Sequence, residues 1–95
     1  MKIAVTTIAF SKNITLVELL SSLFSSVKFN KNGKRFNSEE LITFLKDVDL
    51  AIIGLDEINS EILNKLPNLK CIVKYGVGLD NIDLSDCKKR NIYIG

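Results

Sequence analysis

Short apolar runs alternate with segments of helical periodicity along this chain, and the alternation restricts the fold more than any other feature. Runs with the length and composition of β-strands occupy Lys2–Thr6, Val27–Asn30, Asp49–Gly54, Leu69–Val73 and Asn91–Ile94. The third run has an uninterrupted apolar core, which is typical of parallel strands covered on both faces. The alternation therefore predicts an α/β protein: a parallel five-stranded sheet with helices on both faces. For five such strands we expect the flavodoxin-like order 2-1-3-4-5.

The segments between these runs carry helix signals. Asn13–Phe24 has a wide apolar face at helical spacing. Ser38 is the predicted N-cap of the next helix, because two acidic residues follow it directly. A third, short helix ends before Pro67. Asp83 is the predicted N-cap of the last helix, and Asp86 stands three residues later, as in a variant of the capping box.

The last predicted strand is followed only by Gly95, without a closing helix. We therefore expect the sheet to be incomplete at its C-terminal end, with one face of the last strand poorly covered. Either another part of a longer chain or a second copy of this chain would then cover that face. The second possibility predicts a homo-oligomer.

Composition excludes several classes of function. The chain has 95 residues, enough for one domain, and its formal net charge of +2 is too small to predict binding to nucleic acid. No apolar run approaches the length of a membrane span, so no membrane association is expected. Cys71 and Cys87 are the only cysteines. Their spacing suggests neither a metal site nor a disulfide framework, and two free thiols fit a reducing, cytoplasmic location.

The candidate binding residues follow the fourth predicted strand: Lys74, Tyr75, Gly76, Val77 and Gly78. Two glycines one residue apart allow positive φ angles and a close approach of the backbone to a ligand. Backbone N–H groups at the end of a strand, with a cation beside them, can bind a carboxylate or phosphate. A plain turn with a solvated lysine is the alternative interpretation, and the tyrosine is more easily explained by packing than by chemistry.

Other loops at the same predicted edge carry weaker signals. The segment Thr6–Ala9 contains hydroxyl groups, but it resembles a phosphate-binding loop only slightly. Asp56 and Glu57 are adjacent carboxylates whose side chains point apart, so we interpret them as part of a solvated loop. The glycine pair is not a dinucleotide fingerprint, because Asn81 stands where a third glycine would be needed.

Two strings in the second half of the chain resemble the D-isomer-specific 2-hydroxyacid dehydrogenases, in particular the phosphoglycerate-dehydrogenase-like branch. The strings are Leu66-Pro67-Asn68-Leu69-Lys70 and Gly76-Val77-Gly78-Leu79-Asp80-Asn81-Ile82-Asp83. The segments Asp49–Gly54 and Ser60–Leu63 are similar to the family's third strand and its following helix, and Phe36–Leu41 also fits the family pattern.

This resemblance implies an oxidoreductase that uses NAD and acts on a small 2-hydroxy or 2-oxo acid. Residues 1–95 would be a partial, flavodoxin-like substrate-binding domain, and the NAD-binding Rossmann domain would lie outside them. The substrate carboxylate would be held by backbone N–H groups of Val77 and Gly78. Lys74 stands where the family often has arginine, so the charge is kept but the bidentate fork is lost.

The same resemblance implies that this segment contains no catalytic residue and binds no cofactor by itself. The family's catalytic arginine, glutamate and histidine lie downstream of the part that this chain matches, and the chain has no histidine. We therefore expect it to be inactive alone and to need the missing NAD domain or a second copy as a partner.

A free-standing flavodoxin-like module, which binds a ligand or self-associates without catalysis, is the alternative. A phospho-receiver domain would need acidic residues after the first strand and an aspartate at the end of the third, where Thr6 and Gly54 stand instead. A flavin-binding domain would need a hydroxyl-rich phosphate loop and aromatic walls, for which Phe10 and Tyr75 give only thin support.

Overall fold

The computed structural model describes all 95 residues, Met1–Gly95. Five strands alternate with five helices: β1 (Ile3–Val5), α1 (Ile8–Lys12), α2 (Ile14–Leu23), β2 (Val27–Phe29), α3 (Ser38–Leu45), β3 (Leu50–Ile53), α4 (Ser60–Asn64), β4 (Cys71–Lys74), α5 (Leu84–Lys89) and β5 (Tyr93–Ile94). The strands form one parallel sheet in the order β2-β1-β3-β4-β5. The predicted flavodoxin-like fold and strand order are thus confirmed.

Side chains alternate between the two faces of the sheet, and the two faces are packed differently. One face, called here the densely packed face, is covered by α3, α4 and α5. Its core contains the following buried residues: Ala4, Leu41, Leu45, Val48, Ala51, Ile53, Ile58, Ile62, Leu63, Leu66, Leu69, Ile72, Ile82, Cys87 and Ile92. The other face, called the sparsely packed face, is covered by α1 and α2, and its buried core is limited to Ile3, Val5, Phe10 and Ile52.

The sheet continues beyond the cover that α1 and α2 provide. On the sparsely packed face Leu50, Cys71 and Val73 are only half-buried, and Tyr93 is 71% exposed. The prediction that one face of the last strand is poorly covered therefore holds for this chain. No helix is long and apolar enough to cross a membrane.

The start of α3 and the capping box of α5 differ from the sequence prediction. Asn37, not Ser38, is the N-cap of α3: its Oδ1 accepts from the Glu40 N–H at 2.9 Å, and Glu40 Oε1 accepts from the Asn37 N–H at 3.0 Å. This reciprocal pair needs a spacing of three residues, which Asn37 has to Glu40. At α5, Asp83 caps as predicted, but the capping box is only half formed. The Asp86 carboxylate accepts from Arg90 instead.

The first helical region also differs from the prediction. The segment after β1, interpreted as a loop, forms the short helix α1, because Phe10 packs into the core of the sparsely packed face. Asn13 ends α1 and caps α2, accepting from the Leu16 N–H at 3.1 Å. The apolar face of α2 is wider than the surface it meets, so no residue of this helix is fully buried.

A left-handed residue turns the chain from α5 into β5. Asn91 has φ 58°, and its N–H donates to the Lys88 carbonyl while the Ile92 N–H reaches back to the Cys87 carbonyl. This pair of bonds is the Schellman arrangement, with asparagine in the place usually taken by glycine. It delivers Ile92 into the densely packed core directly before the last strand.

Candidate functional site

The carboxyl ends of β1, β3 and β4 meet at one edge of the sheet. The strand order reverses between β1 and β3, since β2 lies outside β1 while β4 and β5 lie outside β3. In open parallel sheets this switch point opens a crevice where ligands bind. The loops that follow the three strands are the ones that the sequence analysis singled out.

A side-chain network joins the ends of β2, β1 and β3. Asn30, which follows β2 and is 4% exposed, donates to the Thr6 carbonyl at 3.0 Å and to the Lys34 carbonyl at 2.8 Å. The Thr6 hydroxyl donates to Asp56 Oδ2 at 2.5 Å. The interpretation of Asp56 as a solvated loop residue is therefore wrong, because Asp56 is half-buried and its carboxylate accepts a hydrogen bond from Thr6, which follows the neighbouring strand β1. Glu57 is exposed, as expected.

The glycine pair forms an exposed loop with the backbone conformation that only glycine adopts easily. Gly76 has φ 138° and Gly78 has φ 83°. The N–H of Tyr75 still donates to the Ile53 carbonyl, and the next amide that donates to an acceptor of the chain is that of Ile82. Six consecutive amides, those of residues 76–81, thus have no acceptor within the chain. Val77 between the glycines is 99% exposed.

Lys74 lies beside this loop but is not a freely solvated lysine. Its Nζ donates to Asn81 Oδ1 at 2.6 Å, and its side chain runs along Gly76. The Asn81 amide nitrogen donates in turn to the carbonyls of Gly54, at 3.0 Å, and Asp56, at 2.6 Å. Asn81 was considered only as a departure from a dinucleotide fingerprint, so its role was missed. Its place within the Asp80-Asn81-Ile82-Asp83 string was the available signal.

Tyr75 packs as expected. Its ring meets Phe10 edge to face, with centroids 5.3 Å apart, and the side chain remains 40% exposed. The contact attaches the start of the glycine loop to α1. The ring therefore has an evident packing role at the boundary of the candidate site.

Two cavities open at this edge of the sheet, and Arg35 borders both, although no residue of the Gly76-Val77-Gly78 loop lines either. The larger, about 730 Å³, lies between the segment before α3 and the loops after β3 and β4, and Asp56 and Asn81 line it. The smaller, about 330 Å³, is lined by Thr6, Gly54 and Tyr75 among others. Arg35 donates to the Leu55 carbonyl at 3.3 Å. The sequence analysis did not single out this arginine, because no local pattern indicates that it lies at this edge of the sheet.

The cysteines lie away from this edge. Burial raises the pKa of both thiols, and the Asp86 and Asp83 carboxylates add to this effect at Cys87. A raised pKa disfavours the thiolate, which is the nucleophile and the metal-binding form. No group of three or more His, Cys, Asp or Glu side chains lies close enough together to hold a metal ion.

Together, the fold and the loop define a flavodoxin-like α/β domain with unpaired backbone donors at the carboxyl edge of its sheet. Residues 4–95 match the family model of the D-isomer specific 2-hydroxyacid dehydrogenase catalytic domain, so the chain belongs to the family of NAD-dependent D-2-hydroxyacid dehydrogenases. The resemblance found in the sequence is thereby confirmed.

Relatives with curated descriptions support the same family. The chain is 42% identical over 59 residues to a glycerate dehydrogenase of Hyphomicrobium methylovorum, covering 60% of this chain and 18% of that protein. It is 33% identical over 79 residues to a glyoxylate reductase of Thermococcus kodakarensis, covering 82% of this chain and 23% of that protein. This chain therefore spans about a fifth of the length of these relatives.

A solved structure extends the similarity over nearly the whole chain. The NAD⁺-bound 3-phosphoglycerate dehydrogenase of Entamoeba histolytica superposes with a TM-score of 0.82 at 31% identity. The match covers 99% of this chain and 32% of that enzyme.

Proposed function

We propose that this chain is part of the substrate-binding domain of an NAD-dependent D-2-hydroxyacid dehydrogenase, and that the Gly76-Val77-Gly78 loop holds the substrate carboxylate. The run of amides without an acceptor in the chain carries the proposal. Backbone N–H groups that converge on a concave loop bind anions without needing a positively charged side chain. The loop also lies at the edge of the sheet where α/β proteins bind their ligands.

The ligand in this proposal is a small 2-hydroxy or 2-oxo acid. The relatives described as a glycerate dehydrogenase and as glyoxylate reductases favour short acids of this kind. Val77 and Gly78 would donate to the carboxylate oxygens, and Lys74 would add a charge beside Gly76. A carboxylate fixed at these points orients the C2 carbon of the substrate toward the open side of the crevice.

Catalysis requires a second domain in this proposal. A bound nicotinamide supplies the hydride acceptor or donor in this family. The chain has no histidine to act as general acid or base, and we assign no catalytic residue to it. The NAD-binding domain, and with it the cofactor site, would lie outside residues 1–95.

Binding of D-glycerate to the ¹⁵N-labelled chain tests the carboxylate loop. We expect amide shifts to concentrate at residues 76–80, and neutral glycerol to produce none of them. Gly78→Ala should weaken binding, because a side chain strains the backbone at φ 83° although its Cβ has open space. Gly33→Ala, at φ 68° in a distant turn, is the matched control and should bind normally. Shifts scattered over the surface, or none, would contradict the proposal.

Oxidation of NADH in the presence of glyoxylate or hydroxypyruvate tests the requirement for another domain. We expect no turnover by the 95-residue chain at any substrate concentration. Measurable turnover by the pure chain would refute the assignment of catalysis to residues outside it.

A self-associating module is the second candidate, and the sparsely packed face favours it. Ile14, Leu19 and Leu23 of α2 are more than half exposed, as is Tyr93 of β5. A second copy could cover these side chains and remove their apolar surface from water. Sedimentation equilibrium tests for self-association. A dimer that dissociates in the Leu19→Glu variant would support it, and a monomer at all concentrations would contradict it.

A further inference from the structure

Asn81 makes three hydrogen bonds with its side chain, and all three are to distant residues. Its Nδ2 donates to the carbonyls of Gly54 and Asp56 in the loop after β3, at 3.0 and 2.6 Å. Its Oδ1 accepts from Lys74 Nζ at 2.6 Å. One half-buried amide therefore links the loop after β3 to the end of the neighbouring strand β4.

The chemistry of the partners determines which way the amide faces. An ammonium group can only donate, and backbone carbonyls can only accept. Exchanging the amide oxygen and nitrogen would break all three bonds at once. Neither aspartate nor leucine can reproduce the arrangement, since aspartate has no donor and leucine has neither donor nor acceptor.

The partner of Lys74 is also neutral. No carboxylate lies within 4.0 Å of Lys74 Nζ, because the ion pairs of the chain are limited to Lys70 with Asp49 and Arg90 with Asp86. The lysine side chain runs beside the glycine loop, with Cε 3.7 Å from the position that a Cβ would take at Gly76. Asn81 thus fixes the ammonium in place without cancelling its charge.

We propose that Asn81 is a positioning residue for the carboxylate site. It holds the Lys74 ammonium beside the glycine loop without neutralising its charge, which stays available to the substrate. Through its bonds to Gly54 and Asp56, it also fixes the position of the loop after β3 relative to that ammonium. This inference rests on the proposed function of the loop, and it assigns to the asparagine a task that no charged residue could perform at this position.

Affinity for D-glycerate is the first test. Asn81→Leu removes the acceptor that holds the Lys74 ammonium, and Asn81→Asp keeps an acceptor but pairs the ammonium with a negative charge. We expect each variant to raise the Kd for D-glycerate by about tenfold, which is the effect of losing one charge-assisted contact. Asn68→Asp is the matched control, because it makes the same charge change at an exposed turn before β4 and should bind as the wild type does. An unchanged Kd in both Asn81 variants would overturn the proposal.

A double-mutant cycle separates positioning from a merely structural role. Lys74→Met should weaken D-glycerate binding in the wild-type background. It should have little further effect in the Asn81→Leu background, because the ammonium is no longer held at the site. Additive losses would mean that Asn81 acts independently of the lysine, and would overturn the proposal. Binding of neutral D-glyceramide should be insensitive to either change.

A measurement without ligand makes failure of the two proposals distinguishable. In the free protein, Asn81→Asp and Asn81→Leu should shift the amide resonances of residues 54–56 and 76–78, whereas Asn68→Asp should leave them unchanged. If the wild type binds no D-glycerate, the proposed function fails whatever these resonances do. If it binds but these resonances do not move in the Asn81 variants, only the positioning role fails.

Discussion

The two faces of the sheet are made from the same strands but reach very different degrees of burial. On the densely packed face three helices enclose a continuous core that includes Leu45, Ile53 and Ile72, all with no exposed surface. On the sparsely packed face α2 contributes no fully buried residue, and β4 and β5 extend beyond the cover of both helices. The number of apolar residues in a segment therefore does not determine how deeply the segment is buried. Burial depends on the extent of the surface against which the segment packs.

Core truncation should show the largest difference between the faces. Leu45→Ala leaves a cavity in the densely packed core and should lower the free energy of unfolding by about 2–5 kcal/mol. Leu20→Ala makes the same change at a half-buried position of α2 and should cost clearly less, since fewer atoms are removed from contact. Urea denaturation of the two variants measures both values. Equal losses would mean that the faces are equally packed.

The labelling rates of the two cysteine thiols should also show the difference in packing between the two faces. Cys87 is a fully buried residue of α5, whereas Cys71 is half-buried on the sparsely packed face beside Tyr93. We expect Cys71 to react with a disulfide reagent at least about tenfold faster, because Cys87 becomes accessible only when the structure opens. Both should react more slowly than a free cysteine, since burial raises the pKa of each thiol. Cys71→Ser and Cys87→Ser assign the two rates, and a faster Cys87 would contradict the packing difference.

The start of α3 supports the densely packed face and should contribute a smaller amount. Asn37→Ala removes the bond that the Asn37 side chain accepts from the Glu40 N–H, and it should cost about 1 kcal/mol. Ser38→Ala changes the residue that the sequence analysis named as N-cap, and it should have almost no effect. Thermal unfolding of the pair measures the difference. A larger loss of stability in Ser38→Ala than in Asn37→Ala would indicate that Ser38 is the N-cap, as the sequence predicted.

The amino edge of the sheet should show the smallest effect, and one that depends on pH. The Lys2 N–H, 2.7 Å from Asp49 Oδ2, and the Lys70 ammonium lower the pKa of the Asp49 carboxyl. A folded pKa below the unfolded value stabilises the protein above pH about 4, and this contribution is lost as the pH falls through the folded pKa. Asp49→Asn should therefore lower stability more at pH 7 than at pH 2.5. Asp47→Asn, at an exposed residue nearby, should be neutral at both, and a pH-independent loss in Asp49→Asn would contradict the mechanism.

Much of the fold could be predicted from the sequence, and the exceptions have identifiable causes. The strand at Leu50–Ile53 and the cap at Asp83 depend on local patterns; the strand was predicted within one residue at each end, and the cap at its own position. Helix α1 was missed because it is short and has no cap signal; it forms where Phe10 packs on the sheet. The wide apolar face of α2 was predicted but its exposure was not, because the apolar width of a helix does not say which surface that helix meets.

The candidate site divides in the same way. The glycine spacing of residues 76–78 by itself determined that a loop with unusual φ angles would follow β4, because no other residue adopts them without strain. The hydrogen bonds of Thr6 to Asp56 and of Asn81 to Lys74 join residues 50 and 7 positions apart. Only the tertiary structure decided these, since a side chain's partners depend on which strand ends the parallel sheet brings together.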